Sequence, residues 1–383
     1  MKKKEGLFRS GVLSEKERKN LLIYNLIRRK GTISRTGIGK EAGFNIVTVS
    51  NYINAFLEKR FVVEKEYDVS SGGRRPTLLE LSRRDHCALG VDVGSSDLRM
   101  ALVDLAGGVI DKKSKSAKEN ISVKDVVDMA NDMLGAAKID KDKVKGIGIG
   151  ASERIDEWIG KRKEVSSALK LDAYVGGNAM SSAYAEKILN VQTEVENMMY
   201  IYSDIGYGVI IKGETFCAVG GDRDVKADIG SGPEEGVQDL YYLQPLGTEA
   251  GLVASAKKVI ERGVGTSILE LVGGDAGKIS LNTVIEAASK KDKIATELID
   301  TASSNLGTRV AYLINLFSPE LVVIGGGIEK AGDTLLSTVR TTVERLALED
   351  SAKKVKVVLS ILGQDAVAIG AACLVIREVF INT

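Results

Sequence analysis

Histidine is almost missing from this chain: His86 is the only one in 383 residues. That excludes metal sites built on several imidazoles and most chemistry that needs a histidine base. Cysteine is nearly as scarce. Cys87, Cys217 and Cys373 lie far apart with no Cys-x-x-Cys pair, so neither a disulfide framework nor a zinc knuckle is spelled. Aromatic residues make up 5% of the chain, and Trp158 is its single tryptophan. No apolar run reaches the roughly 18–20 residues of a membrane span. The opening MKKKEGLFRSG is basic but lacks the apolar stretch of a signal peptide. The expectation is a cytoplasmic protein with no zinc and no membrane partner. Hydrophobic residues, at 44%, are plentiful enough for packed cores, and the length suggests two or three domains.

What the chain does have is an uneven charge. Residues 1–84 hold 19 Lys+Arg against 9 Asp+Glu, whereas the remaining residues hold 34 against 43. A basic head therefore precedes an acidic body. Cations on a small module suit a phosphate backbone, because binding there releases condensed counterions.

The head carries a pattern to match. Leu22, Ile23, Leu26 and Ile27 recur at helical spacing within Lys16–Lys30, and Gly31 ends that helix. Ser34 can cap a second helix running to Ala42, Gly43 supplies a tight turn, and Asn45 can cap a third helix reaching Lys59. On the third helix Val49, Ile53, Phe56 and Leu57 share one face, while Val47, Thr48 and Asn51 point the other way. This is a helix-turn-helix pattern, whose second helix enters the major groove N-terminus first. Asn51 can pair with adenine, Thr48 can touch a base edge or thymine methyl, and Asn45 and Val47 flank them. Two short β-runs, RFVVEKE and TLLEL, enclose SSGGRRP and predict a hairpin wing. Arg74 and Arg75 at its tip suit a narrow minor groove. A wing that binds protein, with a solvated basic face, is the bland alternative.

In the body, CALGVDVGSSDLRMALVDLAGGVI predicts three strands with a tight turn at Asp92, Gly94 and Ser96. Small residues there let backbone N–H groups approach a phosphate, and an Asp can hold the water shell of Mg²⁺. A helix over Val123–Ala137 and a buried strand, VKGIGIG, follow. The strand–turn–strand theme returns in MMYIYSDIGYGVIIKGETF. Later LVVIGGGI places Gly325, Gly326 and Gly327 in a turn that could accept adenine or ribose, or serve close packing alone. Two similar α/β lobes around a cleft are expected.

With these pieces in order, the chain resembles ROK-family transcriptional regulators of the xylose-repressor type. The resemblance is carried by TVSNYI, GGRRP, GVDVGSS, VKGIGIG, NAMSSAYAE, GYGVIIKGE, LVVIGGGI and ILGQDAVAIGAA. It implies an α/β fold: an N-terminal winged helix-turn-helix (1–84) followed by a two-lobed actin-like, ribonuclease-H-like sugar-kinase body (85–190 and 191–383). The C-terminal helix is a candidate to return to the first lobe. The family includes repressors and sugar kinases, and this sequence departs from the kinases. Their catalytic Asn-Asp pair reads Gly177-Asn178 here, and an amide cannot take a proton. Their Gly-rich second phosphate loop reads Tyr202-Ser203-Asp204-Ile205-Gly206-Tyr207-Gly208. Their Glu-Ile-Gly-His stretch reads Asp228-Ile229-Gly230-Ser231, and the zinc knuckle after it has neither Cys nor His.

The resemblance thus implies no catalytic residue, a carbohydrate effector contacted by Asn178 and Asp228, and an operator in double-stranded DNA. The better-kept turns at Asp92 and Gly325–Gly327 leave room for residual ATP and Mg²⁺. Because one head sees only a few base pairs, a homodimer or larger oligomer is expected. An active hexose or amino-sugar kinase, and a regulator sensing a non-sugar ligand, are the alternatives.

Overall fold

The computed structural model describes residues 8, 13–65, 77–93, 97–116, 121–151, 154–190, 195–202, 206–216 and 249–383. They fall into two compact units. One holds the described residues up to Leu189 together with Asp365–Thr383, and the other holds those in between.

The head has three helices, each started by a polar cap. Ser14 and Glu17 form a reciprocal capping box before α1 (Glu15–Lys30). Ser34 accepts the Gly37 N–H at the start of α2 (Arg35–Ala42), and Asn45 Oδ1 accepts the Thr48 N–H, 2.8 Å, at the start of α3 (Ile46–Glu58). Gly43 ends α2 in the left-handed region, φ 69°. One expectation fails in α1: Leu22 is 38% exposed. The helix instead buries Asn20, Leu21, Ile23, Tyr24, Leu26 and Ile27, because it packs both on the rest of the head and on the C-terminal helix, Ala366–Ile381. The strands β1 (Ile33–Ser34), β2 (Val62–Lys65) and β3 (Leu78–Leu81) form an antiparallel sheet in the order β1-β3-β2. Val62 lies opposite Leu81, and Lys65 opposite Leu78, as a wing requires. The tip, with Arg74 and Arg75, lies outside the described residues.

The first body sheet is built from β4 (Cys87–Asp92), β5 (Asp97–Asp104), β6 (Val109–Ser116), β7 (Val144–Gly150) and β8 (Ala173–Gly176), ordered β6-β5-β4-β7-β8. β4 is buried at every residue, whereas β6, an outer strand, carries Lys112, Lys113 and Lys115, which protect an edge from stray pairing. One face is covered by α4 (Val123–Ala137) and α5 (Ile155–Leu169), which contribute Val126, Met133, Trp158 and Leu169 to the core. α6 (Asn178–Leu189) follows β8. α13 (Ala366–Ile381), the last element of the chain, packs against β4, β7 and α6 and is buried everywhere except Val379. Glycine permits this. A Cβ on Gly90 would collide with the Ala368 carbonyl, and one on Gly370 with the Ser181 carbonyl.

The second unit repeats the plan. Strands β9 (Met198–Tyr202), β10 (Gly206–Ile211), β11 (Glu214–Phe216), β12 (Leu321–Gly325) and β13 (Lys356–Leu359) are ordered β11-β10-β9-β12-β13. In both sheets three antiparallel strands are followed by two parallel ones. Here α10 (Lys293–Phe317) and α11 (Gly332–Leu346) back the sheet. α7 (Glu249–Glu261), α8 (Ser267–Leu271) and α9 (Leu281–Ser289) form a separate helical cluster against α10, and α12 (Glu349–Lys354) leads into β13. No helix among the described residues is long and apolar enough to cross a membrane.

Candidate nucleic-acid and ligand sites

α3 has two unlike faces. Val49, Ile53 and Phe56 are fully buried, while Ile46 and Val47 are 46% and 66% exposed and Asn51 is exposed beside them. Thr48 is half-buried. Asn45 spends its side-chain oxygen on the helix cap, which fixes the start of α3 and leaves its amide nitrogen facing outward chemistry only as a donor. The first turn of α3 carries no acid, so its positive end is unopposed there. Two apolar side chains and an amide on one exposed helix start can touch thymine methyls and an adenine edge.

The second site lies at the carboxyl ends of three parallel strands, where open α/β sheets place ligands. Asp92 ends β4, Gly150 ends β7 and Gly176 ends β8, and the three pair in register. Ala151 N–H donates to the Gly176 carbonyl, 2.9 Å, and Val93 N–H to the Gly150 carbonyl, 3.0 Å, so the edge is held rigidly. Two residues beyond Gly176, Asn178 opens α6. It is 1% exposed, and its Oδ1 has no hydrogen-bond partner among the described residues. That oxygen stands 3.3 Å from where a Gly150 Cβ would be, so the glycine leaves it room. One turn along α6, the Ser182 hydroxyl is likewise buried and has no partner among the described residues. Buried polar atoms are nearly always hydrogen-bonded, so these two, four residues apart, have hydrogen-bonding capacity left to spend. Ser182 was not singled out from the sequence, because a serine in a run of small helical residues gives no local sign of what it faces.

The glycine turn after β12 also has a packing role. A Cβ on Gly325 would collide with the Tyr200 hydroxyl, so close packing accounts for that glycine. Gly326 and Gly327 sit at φ 83° and 110°, a turn only glycine adopts easily. The Gly327 N–H already donates to Glu329 Oε2, 2.6 Å, and a carboxylate held there disfavours a phosphate. Gly94 and Ser96 of the first turn, Asp204 of the second phosphate loop, and Asp228 with Ser231 lie outside the described residues. Among the described residues no group of three His, Cys, Asp or Glu is placed to hold a metal ion. Cys87 and Cys373 are buried free thiols, pushed by burial up to about 11 and about 12.

Two sheets of one actin-like topology define a class that holds regulators and sugar kinases, and here a winged helix stands ahead of them. Residues 88–378 match the ROK family, and the chain belongs to it. It is 26% identical over 387 residues to the xylose repressor of Caldicellulosiruptor bescii, a match covering 95% of this chain and 96% of that protein. In fold it is similar to a ROK-family transcriptional regulator described as a homologue of the E. coli MLC protein, with TM-score 0.74 and 20% identity over 96% of this chain and 97% of that one. It is also similar to a ROK glucokinase from Streptomyces griseus bound to glucose and AMPPNP, with TM-score 0.61 and 21% identity. That match covers 98% of the kinase but 75% of this chain. The family match begins after the head, at residue 88.

Proposed function

We propose that this chain is a cytoplasmic DNA-binding repressor of carbohydrate-utilisation genes, acting as a homodimer or larger oligomer, with a small carbohydrate as effector. The observation that carries this reading is the winged helix fused ahead of the ROK body, with the exposed face of α3 free of acids at its start. The likeness to a xylose repressor along almost the whole chain supports it. On this reading Val47, Thr48 and Asn51 meet base edges, Asn45 sets their helix start, and Arg74 and Arg75 meet the minor groove. Asn178, assisted by Asp228, hydrogen-bonds the sugar, since an amide both donates to and accepts from neutral hydroxyls.

Kinase chemistry is disfavoured by the same residue. Phosphoryl transfer to a sugar needs a group to take the hydroxyl proton, and an amide does not. Losing a positioned base costs about 10²–10⁴-fold in rate. Repression then works by linkage: a sugar that binds one arrangement of the body better than the other shifts DNA affinity by the same coupling free energy.

The test is fluorescence anisotropy of duplex DNA upstream of the chain's own gene, with and without a panel of pentoses, hexoses and amino sugars. Salt-sensitive binding that one sugar alters about 5–150-fold is expected. Salt-independent or absent binding, with ATP-dependent sugar turnover near ~1–10³ s⁻¹, would identify a kinase instead.

A further inference from the structure

We propose that α6 and α13 act together as the element that carries ligand state from Asn178 to the head, and that Arg28 is the head's grip on it. The inference rests on the ligand role assigned to Asn178 above.

Both helices begin at the ligand site. Asn178 is the first residue of α6 and Val367 the second of α13. The Asn178 Oδ1 and a methyl of Val367 converge on the same point beside Gly150. Both helices end at the head. The carbonyl of Ile188, next to last in α6, accepts a hydrogen bond from Arg28 Nη1, 2.6 Å. Phe380, next to last in α13, is ringed by Tyr24, Phe56 and Phe61, with centroids 4.2, 5.1 and 5.3 Å away. Between these ends the helices are locked together at Gly370 and Ser181, where no side chain fits. α6 is buried along nearly its whole length, about 18 Å at 1.5 Å per residue, so displacement of its first turn moves its last.

The grip differs in kind from the packing around it. Arg28 and Tyr24 lie one turn apart on α1, and the Tyr24 hydroxyl donates to the Leu105 carbonyl, 3.1 Å. Arg28 reaches the end of α6, where backbone carbonyls lack intrahelical partners and the helix dipole favours a cation. A charge-assisted bond to such a carbonyl is strong and directional, and a small shift breaks it without opening a hole in the core. Room for that shift exists. The Arg28 Nε is buried with no partner among the described residues, and a half-open pocket of about 180 Å³ lies alongside, lined by Arg28, Lys30, Thr32, Glu80 and Arg83 among others. Held and released forms of this bond give the two arrangements that coupling requires.

Hydrogen–deuterium exchange on the full chain tests this without DNA or sugar. Six proteins are compared: the native chain, Arg28→Gln and Arg28→Lys, each with and without Asn178→Ala. Exchange of the α1 amides is expected to change roughly 5-fold or more in Asn178→Ala, the low end of coupling between sites. That change should vanish when Arg28 is already Gln and survive when it is Lys. An equal change with and without Arg28, or none with Arg28 present, overturns the inference. A rise of the same size in α10 marks general loosening and also counts against it; Asn178→Ser, a smaller perturbation, then repeats the comparison. Sugar-insensitive DNA binding alongside an Arg28-dependent α1 response would overturn the functional reading alone.

Discussion

Phe380 of the last helix stacks on Tyr24 of the first, ring centroids 4.2 Å apart and planes 25° from parallel. Phe380 is fully buried, and Phe56 and Phe61 of the head close round it. The head core is therefore completed by a residue from the far end of the chain. A basic head drawn from charge alone looks detachable; this one is built around the body's final helix.

Phe380→Ala should cost about 3–5 kcal/mol, the usual range for emptying a buried phenylalanine site. Urea unfolding followed by circular dichroism measures it. A loss under about 1 kcal/mol would show that the ring is not part of the head core.

Gly370→Val should destabilise by about 3 kcal/mol, the upper end for overpacking, because the added side chain meets the Ser181 backbone. Gly135→Ala in α4 is the matching control. Its Cβ meets nothing within 4 Å among the described residues, and it should stabilise by about 0.5–1 kcal/mol. Thermal denaturation of both variants decides. Equal shifts would remove the close contact of α6 and α13 from the account.

The thiols give a chemical check. Burial raises Cys87 to about 11 and Cys373 to about 12, so neither holds a thiolate at pH 8. A disulfide reagent at that pH should modify at most one thiol per native chain, and all three after denaturation. Two or more fast-reacting thiols in the native protein would contradict the burial of one or both.

Asn51→Ala should weaken binding to the preferred duplex by ~1–3 kcal/mol, about 5–150-fold, and relax the base preference at one position. The salt dependence should stay unchanged, because phosphate contacts remain. A variant that loses salt dependence while keeping base preference would place Asn51 on the phosphate backbone.

Local structure was legible where local chemistry decides it. The caps Ser34 and Asn45 mark the starts of α2 and α3, and α4 runs over Val123–Ala137, the bounds read from the sequence. The exposure of Leu22 was not legible, because which residues of α1 are covered depends on α13, which lies at the other end of the chain. Asn178 was visible as a departure from a motif. That its oxygen is buried and unpaired, with Ser182 beside it, emerges only when β7, β8 and α6 meet. The glycines at 325–327 could serve a nucleotide or packing in sequence terms; Tyr200 and Glu329 supply the packing explanation.

The central claim is that the full chain reads a DNA sequence and that a carbohydrate shifts its affinity for that sequence. The most direct measurement is selection of bound duplexes from a random-sequence pool, then titration of the complex with the panel of pentoses, hexoses and amino sugars. The account predicts enrichment of an inverted repeat, two half-sites for two heads, and a change in affinity for it with one sugar. A pool that stays random after repeated selection, or an enriched duplex whose affinity no sugar changes, would contradict it.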